Sequence, residues 1–223
     1  MRAVIIATDG VAPFLKFPPF HLLDLQIDKF KRIHPDEIII ISGKNTEEIR
    51  RRWPDFTIIK NPVWETTGSA FDLYWALQSI DDDIIWLREE VLFDSILLRK
   101  MEEENDGFNM VAASLEPPVD WKYAMVLNER DFIISMGEKV RNASGRVFPL
   151  GLIKKEYISQ LLKASRDLIY KNKDMPWTEW FHWANRRYGV PFKILNVGIY
   201  KVKLVDSYDA YQEALEDERL WVL

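Results

Sequence analysis

The loop after the first predicted strand holds the first residues that could bind a ligand. The strand covers residues 3–8, and the chain continues through Thr8, Asp9 and Gly10. Open α/β sheets bind ligands outside the carboxyl ends of their strands, where backbone N–H groups can hold phosphate oxygens. Because this loop starts with only one glycine, an ordinary turn is the competing interpretation.

The tryptophans are a second group with a possible chemical role. The chain contains nine, and Trp177, Trp180 and Trp183 recur every three residues. Aromatic rings beside an acid such as Glu179 can hold a quaternary ammonium group by cation–π attraction, which suits a choline-like acceptor. This predicts an acceptor site at Trp177, Glu179 and Trp180. The same spacing is also typical of a helix that packs its rings into the core, so both interpretations stay open.

Residue counts exclude several other kinds of site. The chain has no cysteine, which removes disulfides, thiolate zinc sites and cysteine nucleophiles. Its histidines, His21, His34 and His182, are too scattered to indicate a metal site. The formal net charge is −5, from 30 basic and 35 acidic residues. Binding of nucleic acid or an anionic membrane is therefore disfavoured, because both need a clustered positive face.

The length of 223 residues and the apolar content of 48% predict one folded domain over residues 1–223 with a full core. The apolar run at residues 3–7 is too short for a secretion signal. No run approaches the roughly 20 apolar residues that span a bilayer. We therefore expect a cytoplasmic protein.

Residues 1–115 alternate short β-branched runs with segments of helical period, which is typical of βαβ units and a largely parallel sheet. The first helix has one misfit, Gln26, within its apolar stripe. Residues 45–52 carry a capping pattern that begins at Asn45. The predicted strands are 3–8, 38–41, 56–59, 84–87 and 110–113, and the predicted helices are 21–33, 45–52, 69–80 and 94–103.

The pattern changes after residue 118. Short apolar segments separated by polar turns predict antiparallel hairpins at 123–127, 132–135 and 146–150. Helices are expected at 155–170, 178–187 and 208–215, with strands at 192–195 and 200–204.

The order of these segments resembles the nucleotidyltransferases that make nucleotide-activated sugars and alcohols, including the phosphocholine and inositol-phosphate cytidylyltransferases. The resemblance covers nearly the whole chain, and its most specific parts are residues 61–73 and 81–94; the others are residues 1–7, 24–43 and 205–211. It implies an α/β fold of the glycosyltransferase-A, Rossmann-like type, with a mixed, mostly parallel sheet between helices. It also implies a nucleotide-binding half (1–115) and an acceptor-binding half (116–223).

The resemblance implies metal-assisted transfer of a nucleotidyl group from a nucleoside triphosphate to a sugar phosphate or phospho-alcohol, with release of pyrophosphate. The first loop of such enzymes is rich in glycine, carries an arginine, and is followed by a proline-lysine pair. Here the loop lacks the arginine, and Pro19 and Phe20 stand at the pair. Lys16 is the lysine that could reach the same space from a shortened loop, and it is the expected catalytic cation.

The expected metal ligands also depart from the family pattern. Where the family has glycine-aspartate after a strand, this chain has Glu89 and Glu90. Glu90 and Asp206 are the carboxylates that the resemblance assigns to Mg²⁺, which prefers oxygen ligands. A solvated charge at a strand end is the alternative for Glu90. A helix N-cap is the alternative for Asp206.

A turn at residues 66–69 matches the part of the family that lies against the base and ribose. With the first loop, it gives the expected nucleotide-binding residues: Thr8, Asp9, Gly10, Thr67, Gly68 and Ser69. The N–H groups at the start of the following helix suit a nucleotide oxygen, although Thr67 could serve only as a cap.

Two functions remain open at this stage. One is an active nucleotidyltransferase with a shortened loop. The other is a catalytically inactive homologue that binds a nucleotide, a metabolite or a protein partner, and it gains weight because the lost groups contribute separately to transition-state stabilisation. A glycosyltransferase is disfavoured, since residues 88–90 do not supply an Asp-x-Asp motif.

Overall fold

A computed structural model describes residues 1–116, 123–138, 140–169 and 172–221. The strands are β1 (Arg2–Ala7), β2 (Lys16–Phe17), β3 (Phe20–His21), β4 (Ile38–Ser42), β5 (Thr57–Lys60), β6 (Ile84–Arg88), β7 (Val91–Phe93), β8 (Asn109–Ser114), β9 (Ala124–Leu127), β10 (Ile133–Gly137), β11 (Gly145–Ile153), β12 (Phe192–Asn196) and β13 (Val202–Leu204). The helices are α1 (Leu22–Lys31), α2 (Thr46–Arg52), α3 (Ser69–Ser79), α4 (Ile96–Glu103), α5 (Lys155–Ile169), α6 (Trp177–Tyr188) and α7 (Tyr208–Glu216). Every predicted strand and helix is present, and β2, β3 and β7 are additional.

The main sheet is mixed, and its first half is parallel. β1 lies between β4 and β6 and pairs with both in parallel, and β5 extends the sheet beyond β4. β11 joins antiparallel to β6, and β8, β9 and β10 continue the antiparallel pattern, while β12 pairs in parallel with β8. The predicted α/β class is confirmed, and so is the predicted antiparallel pairing among β9, β10 and β11.

Alternation along the parallel strands divides the core between the two faces of the sheet. Val4 and Ile6 of β1 face one cluster, which receives apolar residues of α3, α5 and α6. Ala3 and Ile5 face the other, which receives residues of α1, α2 and α4. A central parallel strand buries both faces, which explains why β1 and β4 are apolar almost throughout. Within the described residues, no helix is long and apolar enough to cross a membrane.

A small antiparallel pair, β7 with β13, joins the second half of the chain to the first. Lys29 of α1 fastens this region, because its ammonium group donates hydrogen bonds to the carbonyls of Phe93 and Leu220, the latter at 2.6 Å. Burial lowers the pKa of Lys29 to about 8. One side chain thus links α1, the end of β7 and the chain near its C-terminal end.

We expect Lys29→Met to lower the free energy of unfolding by about 1–3 kcal/mol, because it leaves two carbonyl groups without their donor. Chemical denaturation measures the loss. Lys163→Met, on the exposed surface of α5, is the matched control and should change stability little. Equal losses in the two variants would contradict the assigned role of Lys29.

Candidate functional site

A cavity of about 540 Å³ opens at the carboxyl ends of β1 and β6. Part of the lining is polar and consists mainly of acidic residues and one arginine. The rest is apolar or aromatic. The lining residues are Asp9, Val11, Ala12, Leu15, Arg88, Glu89, Glu90, Val205, Asp206, Ser207, Tyr208 and Tyr211.

Strand register brings the polar residues together. β1 and β6 pair in parallel from Arg2 opposite Ile84 to Ile6 opposite Arg88, so the loops that leave both strands start side by side. The backbone N–H of Val205 donates to the carbonyl of Glu90 at 2.7 Å. This bond carries the residues before α7 to the same edge of the sheet.

Gln26, the misfit of the first helix, holds the turn between β6 and β7. It is buried, and its amide group donates to the carbonyls of Glu89 at 3.0 Å and Val91 at 2.8 Å. These carbonyls stand at either side of Glu90, one in the turn and one at the first residue of β7. The polar residue in the apolar stripe therefore positions the backbone that carries the acidic pair, and this role was not predicted.

Glu89 stands where the family has glycine, and it supports the first loop. Its Oε1 accepts a hydrogen bond from the backbone N–H of Gly10 at 3.0 Å. Burial raises the pKa of Glu89 to about 8, and the charges of Glu90 and Asp9 act in the same direction. Glu89 therefore holds a proton more readily than an exposed glutamate does. Gly10 has a φ of +91°, and its carbonyl accepts a hydrogen bond from Asn45. Asn45 is the N-cap residue of α2, but its side chain makes no capping bond there.

Arg88 lies between two carboxylates of the cavity. Its Nη2 is 3.1 Å from Oδ2 of Asp9, and its Nε is 3.4 Å from Oε1 of Glu90. Burial disfavours its charged form, but the neighbouring carboxylates, Glu90 above all, outweigh burial and raise the pKa of Arg88. Of the described residues that line the cavity, Arg88 alone carries a positive charge.

Glu90 and Asp206 line the same cavity, and the structure argues against the alternative proposed for each. Glu90 is buried and paired with Arg88, so it is not a solvated charge. The N-cap of α7 is Ser207, whose hydroxyl accepts from the N–H of Ala210 at 3.2 Å. The exposed side chain of Asp206 therefore serves no capping role.

The other residues predicted to bind a ligand at the first loop differ in whether they reach the cavity. Asp9 lines the cavity, whereas the Thr8 hydroxyl points into the protein and donates to Asp72 at 2.9 Å. Lys16 is exposed on β2 and does not line the cavity. Its carbonyl accepts a hydrogen bond from the Tyr211 hydroxyl at 2.5 Å, which ties the loop to α7. The structure therefore does not bring the Lys16 ammonium group to the acidic residues.

Asp72 is the centre of a buried polar network below the loop. It also accepts from the side-chain amide of Asn61, at 2.8 Å. Burial raises the pKa of Asp72 to about 6, although both hydrogen bonds favour the charged form. The network connects the loop after β1, through Thr8, to Asp72 in the first turn of α3.

The expected nucleotide contacts at the start of α3 are occupied by the chain itself. The N–H of Gly68 donates to the carbonyl of Lys173 at 2.8 Å, and the N–H of Ala70 donates to that of Met175 at 3.1 Å. Ser69 accepts from the N–H of Trp177. Gly68 is required here, because a Cβ atom would lie 2.5 Å from the Met175 carbonyl oxygen.

Thr67 makes only local contacts: its hydroxyl donates to the Val63 carbonyl and accepts from Asn61. Thr67, Gly68 and Ser69 therefore do not line the cavity in this structure.

The predicted aromatic acceptor wall lies in the core. Trp177 and Trp180 are fully buried, and Trp177 packs edge-on against Trp86 at 5.3 Å between ring centroids. Of the two interpretations, the structure supports packing, because neither ring offers a face to an acceptor. Glu179 is exposed and lines a separate groove with Glu138 and His182.

The raised pKa of Asp72 should make the free energy of unfolding depend on pH. Its carboxyl takes up a proton more readily in the folded state than in the unfolded state, so its contribution is present below about pH 4 and lost as pH rises through about 6. Asp72→Asn should remove this dependence, which amounts to at most about 3 kcal/mol. Chemical denaturation across this pH range measures the difference. The exposed Asp55→Asn variant should keep the wild-type slope, and the same slope in Asp72→Asn would contradict the shift.

Replacing Gln26 should loosen the turn at the cavity. We expect Gln26→Leu to lower the free energy of unfolding by about 1–3 kcal/mol, because two buried carbonyls lose their donor while the apolar stripe is kept. Denaturation gives the energy, and hydrogen exchange of the β7 amides locates the change. Gln78→Leu, on the exposed face of α3, is the control. Unchanged β7 exchange in Gln26→Leu would show that the turn does not depend on this side chain.

Comparisons with known proteins find similarity in structure only. No protein-family model matches the chain, and no curated protein matches its sequence. The inositol-1-phosphate CTP transferase from T. maritima matches with a TM-score of 0.79 at 13% identity, over 97% of this chain and 96% of that chain. A UDP-glucose pyrophosphorylase solved with UDP-glucose matches at 0.77 and 12% identity, over 97% of both chains. The CTP:phosphocholine cytidylyltransferase from Streptococcus pneumoniae matches at 0.75 and 10%, over 96% of this chain and 97% of that chain.

These likenesses extend over nearly the full length of each chain at 10–13% identity, so they show a shared fold. They agree with the resemblance found in the sequence. The chain has the α/β fold, with its mixed and mostly parallel sheet, of the sugar-phosphate, phosphocholine and inositol-phosphate nucleotidyltransferases.

Proposed function

We propose that this protein transfers a nucleotidyl group from a nucleoside triphosphate to a phosphorylated small molecule, a sugar phosphate or a phospho-alcohol. In this reaction an acceptor phosphate oxygen attacks the α-phosphorus. The bond from the α-phosphorus to the bridging oxygen breaks, and pyrophosphate leaves. Catalysis of this kind depends mainly on positioning and on neutralising charge.

One observation carries the proposal: Glu90 and Asp206 line a single cavity at the carboxyl ends of β1 and β6. They are the two carboxylates that the family resemblance assigns to the metal. Their segments are far apart in sequence and meet through the bond from Val205 to Glu90. A buried turn and a helix start thus converge on one small space.

The residues present are compatible with Mg²⁺. Both candidate ligands are carboxylates, and Oε2 of Glu90 is buried without a hydrogen-bond partner among the described residues. No group of three or more ligand side chains converges in the described parts of the chain. Glu90 and Asp206 would therefore hold the ion together with oxygens of the bound phosphates. When bound, the ion would neutralise phosphate charge and favour attack at the α-phosphorus.

The other lining residues have roles consistent with this reaction. The Glu89 carboxyl holds the Gly10 N–H and so fixes the first loop beside the phosphates. Tyr208, Tyr211 and Val11 line the same cavity and would cover a base or an acceptor. Lys16, Thr67, Gly68 and Ser69 remain proposed contacts, and each would need a rearrangement to reach a ligand in the cavity.

A second candidate function is a catalytically inactive homologue that binds a phosphorylated metabolite or a protein partner. The observation that favours it is the occupied start of α3, where the carbonyls of Lys173 and Met175 take the N–H groups expected to face a nucleotide. The exposed position of Lys16 points in the same direction.

Thermal melting with each nucleoside triphosphate, with and without Mg²⁺, separates the two candidates. A ligand present at about 100 times its Kd should raise Tm by about 5–10 °C. We expect one triphosphate to give a Mg²⁺-dependent rise. Glu90→Gln and Asp206→Asn should remove it, and Asp209→Asn, which changes an exposed carboxylate of α7 outside the cavity, should keep it.

The triphosphate that binds is then assayed for pyrophosphate release with sugar phosphates and phosphocholine. Release that requires both substrates supports the enzyme. Binding without release supports the inactive homologue. Absence of any shift with all triphosphates would contradict the proposed transferase.

A further inference from the structure

The charges around the cavity present a problem for an anionic ligand. Asp9, Glu90 and Asp206 are carboxylates, and Arg88 is the only cation in the described lining. A triphosphate entering such a space meets repulsion from the carboxylates. Among the described lining side chains, Arg88 is therefore the one that can attract a phosphate by its charge.

Arg88 is a largely buried residue of the main sheet. It is the last residue of β6, and its side chain is only 14% exposed. Its Nε lies against Glu90, which is itself buried. Burial and the ion pair with Glu90 restrict this guanidinium, and such a planar group suits a phosphate.

The two acidic partners of Arg88 differ in how readily a ligand can displace them. Glu90 is 10% exposed, whereas Asp9 is 68% exposed and belongs to the first loop. A pair with an exposed carboxylate contributes little free energy, because water and ions compete for both groups. A phosphoryl group, which carries more charge than a carboxylate, can displace Asp9 without breaking the buried pair with Glu90.

We propose that Arg88 is the phosphate-binding cation of the cavity. In the absence of a ligand Asp9 pairs with Arg88, and a phosphoryl group displaces Asp9 when it binds. Arg88 would then neutralise phosphate charge in place of the family's loop arginine and lysine, which this chain lacks at those positions. This inference rests on the proposed function, because it names the residue that would neutralise the phosphates in that cavity. It also predicts that removing the acidic residue of the loop strengthens binding of a phosphate.

Binding of inorganic tripolyphosphate, measured by calorimetry in EDTA, tests Arg88 without nucleotide or metal. Asp9→Asn should tighten binding by about two- to fivefold, the equivalent of one exposed ion pair. Arg88→Met should weaken it by at least about tenfold, because a charge-assisted hydrogen bond is lost.

Asp28→Asn is the matched control, since it removes the same charge from an exposed arginine pair, Asp28 with Arg32, on α1. It should leave binding close to that of the wild type. Because Arg88→Met leaves buried Glu90 without its partner, its fold is checked by circular dichroism. The Asp9→Asn result stands on its own if Arg88→Met does not fold.

The proposal is overturned if Asp9→Asn binds tripolyphosphate, glucose 1-phosphate and phosphocholine no more tightly than Asp28→Asn does, or if neither the wild type nor Asp9→Asn binds any of the three. It is also overturned if folded Arg88→Met binds as the wild type does. A nucleotide shift that survives in Arg88→Met would reject Arg88 and keep the proposed transferase. Tightened tripolyphosphate binding with no nucleotide shift would keep Arg88 and reject the transferase.

Glucose 1-phosphate and phosphocholine, titrated in the same way, identify the source of the phosphoryl group. A response to Asp9→Asn with tripolyphosphate alone assigns Arg88 to the triphosphate. A response with an acceptor phosphate alone assigns it to the acceptor. Both results support a phosphate-binding Arg88.

Discussion

The parallel pairing of β1 with β6 is the constraint on which the rest of the site depends. It starts two loops from neighbouring positions, and each loop then needs support because neither continues as a strand of the main sheet. The first loop is held by Glu89 and Asn45 through Gly10. The turn after β6 is held by Gln26. A displacement of either strand would separate these partners, so the geometry of the cavity follows from the register of the sheet.

The charges of Arg88, Glu90 and Asp9 depend on one another, which limits the substitutions that the site can tolerate. Arg88 remains charged although it is buried, because Glu90 and Asp9 lie beside it. Conversely, Glu90 is buried as a carboxylate next to that cation. A buried pair of this kind contributes little net stability, but loss of one partner leaves an uncompensated charge. Arg88 therefore has a structural task toward Glu90 and an open side toward the cavity, and substitutions at this position affect both.

Most of the fold could be predicted from the sequence, because long apolar periodicities report burial directly. The all-apolar run of β4 and the stripe of α1 are examples, and the resemblance to nucleotidyltransferases led to the correct fold. The site was harder, since its side chains act on partners distant in sequence. Asn45 looks like a helix cap but binds Gly10, and Gln26 looks like a defect but holds two carbonyls 63 and 65 positions away. The three-residue spacing of the tryptophans is typical of core packing and also compatible with an aromatic acceptor site, and the structure supports packing.

The two parts of the expected nucleotide site behave differently in the structure. The cavity between β1, β6 and α7 is open, whereas the start of α3 is closed by backbone hydrogen bonds from residues 173–175. Backbone N–H groups that already have partners offer a ligand little net gain, because each new bond replaces an existing one. A ligand that enters this protein as it stands would therefore contact the residues that line the cavity, among them Arg88, Tyr208 and Tyr211. Contact with the backbone N–H groups at the start of α3 would require the segment at 173–175 to leave that helix.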